Sequence, residues 1–133
     1  MKLVVHVDGG ARGNPGPAAI GVVVSDAEGA PVEQLGEAIG TAPNNVAEYR
    51  ALLRGLERAR ELGADEVEVV GDSELVAKQI TGQYKVKHPA MRPLHAEARQ
   101  ALAGFARWQV RTVPRAQNAA ADALVNAALD AAA

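Results

Sequence analysis

"HVDGGARGNPGPAAIGVVV", residues 6–24, decides how this chain is read. A run of strand-forming residues reaches Asp8, breaks into glycines, an asparagine and two prolines, and gives way to a second apolar run. Pro15 and Pro17 oppose a helix between the runs, because proline lacks an amide donor and restricts the residue before it. Residues 2–8, KLVVHVD, predict a strand apolar on both faces, as at the centre of a sheet, with His6 packed in the core. Residues 19–26, AIGVVVSD, predict a second strand. A turn at Glu28 and Gly29 leads to a weaker third over 32–40, so the chain opens as a three-stranded antiparallel meander.

Beyond it the period changes. In "NNVAEYRALLRGLERARELG", Tyr49, Leu52, Leu53, Leu56 and Ala59 recur at helical spacing, Asn44 or Asn45 can cap the start, and Gly63 ends the helix. A strand over 66–72, a short helix over 73–82, a basic loop over 83–90 and a helix over 91–106 follow. A last strand, 108–114, stops at Pro114, and "NAAADALVNAALDAA" predicts a final helix capped by Asn118. The order β-β-β-α-β-α-α-β-α implies right-handed crossovers between parallel strands. The expected fold is α/β, a mixed five-stranded sheet flanked by helices, as one domain over 1–133.

The 133 residues suit one core, and with only four aromatics that core is built from Val, Leu, Ile and Ala. No cysteine is present, which excludes disulfides and thiolate metal sites. Neither a signal-peptide pattern nor a membrane-length apolar run occurs, so a cytoplasmic protein with no membrane partner is expected. The formal net charge of −2 argues on its face against a polyanionic partner.

Four acids change that reading. Asp8 closes the first strand and Asp72 the fourth, and neighbouring parallel strands would set them side by side on one rim. Glu48 sits in the first turn of its helix and Asp122 one turn into the last. Singly, a strand-end aspartate is a turn residue and Glu48 favours the helix dipole. Together, four carboxylates on one rim repel one another unless cations neutralise them. All-oxygen ligands point to Mg²⁺ or Mn²⁺, and two such ions are the usual apparatus for attack on a phosphodiester. The glycine loop is neither a Walker loop, lacking Lys-Ser/Thr, nor a dinucleotide fingerprint, lacking a following helix.

The motifs "DGGARGNPG", "NNVAEYRALLRGL", "VEVVGDSELV" and "NAAADALVNAA" occur in order over nearly the whole chain. In this the sequence resembles the type 1 ribonuclease H family. The resemblance implies a ribonuclease H-like fold with Asp8, Glu48, Asp72 and Asp122 as the catalytic, metal-holding acids. It implies two Mg²⁺ ions, with Mn²⁺ as a substitute, and hydrolysis of the RNA strand of an RNA/DNA hybrid to 3′-hydroxyl and 5′-phosphate products. Gly9, Gly10, Asn14, Asn44 and Asn45 would then line the minor groove, where the 2′-hydroxyl tells RNA from DNA. Bound metal would also reverse the sign of the formal charge.

The pattern departs from better-known bacterial members in three places. The loop before Asp122 reads "VPRAQNAAAD", with Arg115 where those members carry a histidine; it reads as a phosphate contact, or as a solvated surface arginine. Their long basic insertion is reduced to "TGQYKVKHPAMRPLHAEA", in which Lys85, Lys87, His88 and Arg92 are basic and Tyr84 can stack. His88 and His95 read as surface residues. Pro43 replaces a small hydroxyl residue. This resembles the compact branch of the family, whose members are expected as monomers, alone or as the N-terminal domain of longer proteins. Some of them accept double-stranded RNA, which leaves it open as a second partner. The alternative function is an inactive RNA/DNA hybrid-binding module; DNA-directed nucleases of similar fold would space their acids differently, and a small-molecule phosphohydrolase would need an acid where Gly10 stands.

Overall fold

The computed structural model describes residues 1–133. Strands β1 (Lys2–Ala11), β2 (Gly16–Asp26) and β3 (Pro31–Ala42) form the antiparallel meander, and helix α1 (Asn44–Glu61) follows. Strand β4 (Glu66–Gly71) leads to α2 (Glu74–Ile80) and α3 (Met91–Ala103), and β5 (Arg107–Thr112) completes one sheet in the order β3-β2-β1-β4-β5. Pairs β1–β2 and β2–β3 are antiparallel, whereas β1–β4 and β4–β5 are parallel, as the element order requires. A turn of 3-10 helix, Arg115–Asn118, opens directly into α4 (Ala119–Ala132). No helix is long and apolar enough to cross a membrane.

Strand alternation assigns the two faces. Leu3, Val5 and Val7 of β1, Ile20, Val22 and Val24 of β2, and Val67 and Val69 of β4 join Tyr49, Leu52, Leu56 and Ala59 of α1 in the main core, which α3 closes with Ala98 and Leu102. The opposite face receives α4, seated over β2 and β3 through Ala19, Val125 and Leu129. Two glycines permit that seat: a Cβ on Gly21 would stand 2.3 Å from the Ala121 carbonyl oxygen, and one on Gly36 2.7 Å from that of Leu124.

Several expectations need correction. Strand β1 does not end at Asp8 but runs to Ala11, because its antiparallel ladder with β2 continues to the Ala11–Ala18 pair. What ends near Asp8 is the parallel ladder with β4, whose last pair is His6–Val70. His6 is not a core residue: alternation turns it away from Val5 and Val7 to the half-buried outer face, where burial and the Arg111 charge lower its pKa. Helix α2 ends at Ile80 and α3 at Ala103, each short of its predicted limit, and β5 stops at Thr112.

The capping expectations also fail. Pro43 occupies the N-cap of α1, and no side chain at that position bonds back to the helix. Instead Asn14 reaches over from the β1–β2 turn, its Oδ1 accepting the Asn44 backbone N–H at 3.1 Å. The Asn44 Oδ1 turns the other way and accepts the Ala11 N–H at 2.8 Å. Asn118 precedes α4 without capping it, since its side chain is buried against the central strand β1. Ser73, by contrast, caps α2, its Oγ accepting the Val76 N–H at 3.2 Å.

Candidate active site

The parting of β1 and β4 creates the site. Beyond His6–Val70 the two strands no longer pair, so Asp8, still within β1, and Asp72, just past the end of β4, face each other across a fork. Helix α1 brings Glu48 to the fork from the core side, and α4 brings Asp122 from the outer face. All four acids line one cleft of about 380 Å³. Gly9, Gly10, Asn44 and Arg115 line it too. Asn14 and Asn45 do not: Asn14 holds the helix start from an exposed turn, and Asn45 is exposed at the first turn of α1.

Close backbone packing sets Glu48 where it is. A Cβ on Gly9 would lie 2.2 Å from the Ala47 carbonyl oxygen and 2.6 Å from the Glu48 nitrogen, so β1 and the first turn of α1 touch main chain to main chain. Glu48, Asp8 and Asp72 also border a small pocket of about 30 Å³ walled by Val7, Leu52, Val69 and Val76. Burial there disfavours the ionised forms of Asp8 and Glu48.

The electrostatics follow from this crowding. The Asp8 pKa is pushed up to about 7, first by burial, then by the Asp72 charge and by Asp122, whose carboxyl lies within hydrogen-bonding reach. Arg115 acts in the opposite sense. Burial raises Glu48 as well; Ser73 at hydrogen-bonding distance pulls it back, and Asp72 adds to the rise. The Arg115 guanidinium donates to the Asp122 carboxylate at 3.2 Å from a largely exposed position. Along the same cleft Arg12 pairs with Asp130 at 2.7 Å.

No three of these groups converge tightly enough to hold one ion between them. The donor set nevertheless suits hard divalent cations: it is carboxylate oxygen throughout, the chain has no thiol, and the mutual repulsion that raises Asp8 is what a cation relieves.

Sequence reasoning missed two members of the site. Ser73 had a signal, its place directly after Asp72. Asn118 read as a helix cap, yet its Nδ2 donates to the Val7 carbonyl at 2.9 Å, next to Asp8. The basic loop remains apart from the cleft; there Lys78 lies 5.0 Å over the ring of the half-exposed Tyr84. His88 is exposed as expected, whereas His95 is half-buried with Nε2 3.1 Å from the Gln79 carbonyl.

The fold is shared with known proteins. A family model described as reverse transcriptase-like matches residues 6–128. A ribonuclease HI of Halobacterium salinarum is 49 % identical over 129 residues, covering 97 % of this chain and 65 % of the relative. Bifunctional protein Rv2228c of Mycobacterium tuberculosis is 50 % identical over 134 residues, covering all of this chain but 37 % of the relative. The chain therefore spans less than two thirds of these relatives' length. The crystal structure of LC11-RNase H1 in complex with an RNA/DNA hybrid superposes with a TM-score of 0.93 at 43 % identity, covering 98 % of both chains.

Proposed function

The chain belongs to the type 1 ribonuclease H family, and from that membership we propose that it is a metal-dependent endonuclease hydrolysing the RNA strand of RNA/DNA hybrids, with 3′-hydroxyl and 5′-phosphate products. The observation that carries the reading is the gathering of Asp8, Glu48, Asp72 and Asp122 around one cleft, from the interior of β1, the end of β4 and two helices on opposite faces of the sheet. These four are the residues that would hold two Mg²⁺ ions, or Mn²⁺ in their place, and the chemistry such ions would supply is activation of the attacking water and stabilisation of the departing oxygen.

The chain's own groups have distinct tasks. Asp8, on the central strand between Asp72 and Asp122, would be a ligand to the metal. Glu48 stands nearest the RNA 2′-hydroxyls. The main chain at Gly9 and Gly10, where no side chain intervenes, approaches the minor groove. Asn44 has its Oδ1 engaged by Ala11, which fixes the amide and leaves its Nδ2 hydrogens to donate to the duplex. Asn14 holds the start of α1, and Asn45 offers its exposed amide alongside. Arg115 holds Asp122 when phosphate is absent and takes a phosphate oxygen when the duplex arrives. Arginine stays charged near neutral pH, so it moves no proton here. The same reading has double-stranded RNA as a second duplex, a cytoplasmic monomer, and a role as N-terminal domain of a longer protein like the mycobacterial relative.

The test compares labelled RNA/DNA, RNA/RNA and DNA/DNA duplexes with Mg²⁺, with Mn²⁺ and with chelator, using Asp8→Asn protein as control. Metal-dependent cutting of the hybrid's RNA strand, lost in the variant, is the expected result. Hybrid binding without cleavage by folded protein would reject the nuclease and leave the inactive binding module.

A further inference from the structure

Asn118 is 2 % exposed, and one end of its amide has no partner: Oδ1 is buried without a hydrogen bond, while Nδ2 donates to the Val7 carbonyl. A buried amide satisfied at one end only is a poor source of stability, because the desolvation of the unpaired oxygen works against the bond that is made. The location of the bond explains it better. The parallel ladder of β1 and β4 stops at His6–Val70, and Val7 is the next residue of β1. Asn118 thus supplies the rung that β4 no longer provides, at the residue before Asp8. It lies three residues after Arg115 and four before Asp122, and the 3-10 turn that ends with it packs on both β1 and β4.

We propose that Asn118 is a positioning residue: its single hydrogen bond locks the segment carrying Arg115 and Asp122 to the backbone beneath Asp8, and so sets the spacing of the acids across the fork. The catalytic consequence rests on the nuclease reading above; the mechanical linkage does not. Without the bond, the 3-10 turn that carries Arg115 into α4 keeps only its packing on β1 and β4. The helix itself stays seated, with Ala121 against Gly21 and Leu124 against Gly36. Loss of Asn118 therefore loosens the Asp122 side of the cleft locally and leaves the main core unchanged.

The experiment uses the full chain as Asn118→Ala, and as Asn118→Asp, which keeps the shape but removes the donor. Leu102→Ala serves as the reference, since Leu102 is fully buried on α3 in the main core, outside the cleft lining. Amide hydrogen exchange of each folded variant is expected to rise over residues 115–124 for the Asn118 variants, with α1 protected as in the wild type. Under conditions where circular dichroism shows all proteins folded, kcat on an RNA/DNA hybrid is expected to fall about 100-fold with KM little changed, the scale of an ångström-sized misplacement. Leu102→Ala, though destabilised, should keep kcat. Exchange unchanged over 115–124 overturns the linkage, and kcat within about threefold of wild type in a folded Asn118 variant overturns its role in positioning. A loss of kcat in Leu102→Ala matching that of the Asn118 variants also overturns it, since stability alone would then account for both. Wild-type protein that cuts no duplex rejects the nuclease reading and the catalytic consequence with it, while the exchange result still decides the linkage.

Discussion

Gly9 and Gly10 are neighbours in one strand, neither has a positive φ, and they should respond oppositely to the same added methyl group. At Gly9 the new Cβ would stand 2.2 Å from the Ala47 carbonyl oxygen and 2.3 Å from its carbon. Non-bonded heavy atoms settle near ~3.5 Å, so the first turn of α1 must retreat from β1 by roughly 1 Å. Both sides of that contact are backbone, and no rotamer change can absorb it. Overpacking of this kind costs about 1–3 kcal/mol. Glu48 moves with its helix, and a displacement near 1 Å lowers kcat by roughly 100-fold. At Gly10 the Cβ would meet only Val125 Cγ1 at 3.7 Å, an ordinary contact. Gly10→Ala should therefore keep the melting temperature and kcat, and raise KM through its crowding of the duplex. The assay is steady-state hydrolysis of a labelled hybrid, paired with thermal unfolding of both variants. Gly9→Ala with wild-type melting temperature and kcat would refute the reasoning, as would equal damage from the two substitutions.

Other outcomes follow from the charges. In chelator at pH 8, Asp8→Asn should melt above the wild type, because it removes a buried carboxylate crowded by Asp72 and Asp122; calorimetry showing a lower melting temperature would contradict that repulsion. Glu68 lies between Arg111 Nε at 2.9 Å and Lys2 Nζ at 3.4 Å, and these cations, Arg111 first, lower its pKa. A lowered carboxylate pKa gives stability that is present above the ordinary value and lost as pH falls through the native one. Glu68→Gln should thus cost under about 1 kcal/mol at neutral pH, and urea titrations should show the deficit closing in acid. If Lys85 and Lys87 touch phosphates, replacing both with Ala should flatten the salt dependence of hybrid binding by up to ~0.9 in log–log slope per lost contact, measured with inactive Asp8→Asn protein.

The sheet and its order were legible because hydrophobic period and breakers agree at every element. Leu3, Val5 and Val7 alternate, Tyr49, Leu52, Leu56 and Ala59 repeat helically, and Gly63 ends α1 where a positive φ of 92° is needed. The meeting of the acids was legible as well, since parallel neighbours β1 and β4 bring Asp8 and Asp72 to one rim and Glu48 and Asp122 lie early in helices that reach it. The asparagines were not. Sequence alone offers Asn44 or Asn45 for α1, and Asn118 for α4, as local caps, the commonest use of that side chain near a helix start. In the structure the bonds made by Asn14, Asn44 and Asn118 span 30, 33 and 111 residues. Tertiary distance decided among acceptors that local sequence could not rank. The end of β1 was misplaced for a related reason. A strand with different partners on its two edges can lose one ladder at His6 and keep the other to Ala11, and only the sheet reveals which.

The site depends on what the chain leaves out at three positions. Carboxylates that repel one another need stiff supports, and here the supports are backbone contacts that any side chain would prevent. Gly9 admits the first turn of α1 and with it Glu48. Gly21 admits the α4 backbone at Ala121, the residue before Asp122, and Gly36 admits it again at Leu124. Helices carrying two of the four acids are thus held from opposite faces against the strands that carry or flank the other two. The small, alanine-rich composition of α4 fits the same purpose, because a helix of bulky residues could not lie so near β2 and β3. An added methyl group at Gly21 would push on Ala121 as one at Gly9 pushes on Ala47, from the other side of the sheet. The four acids supply the chemistry, and glycines inside the strands set the distances at which it operates.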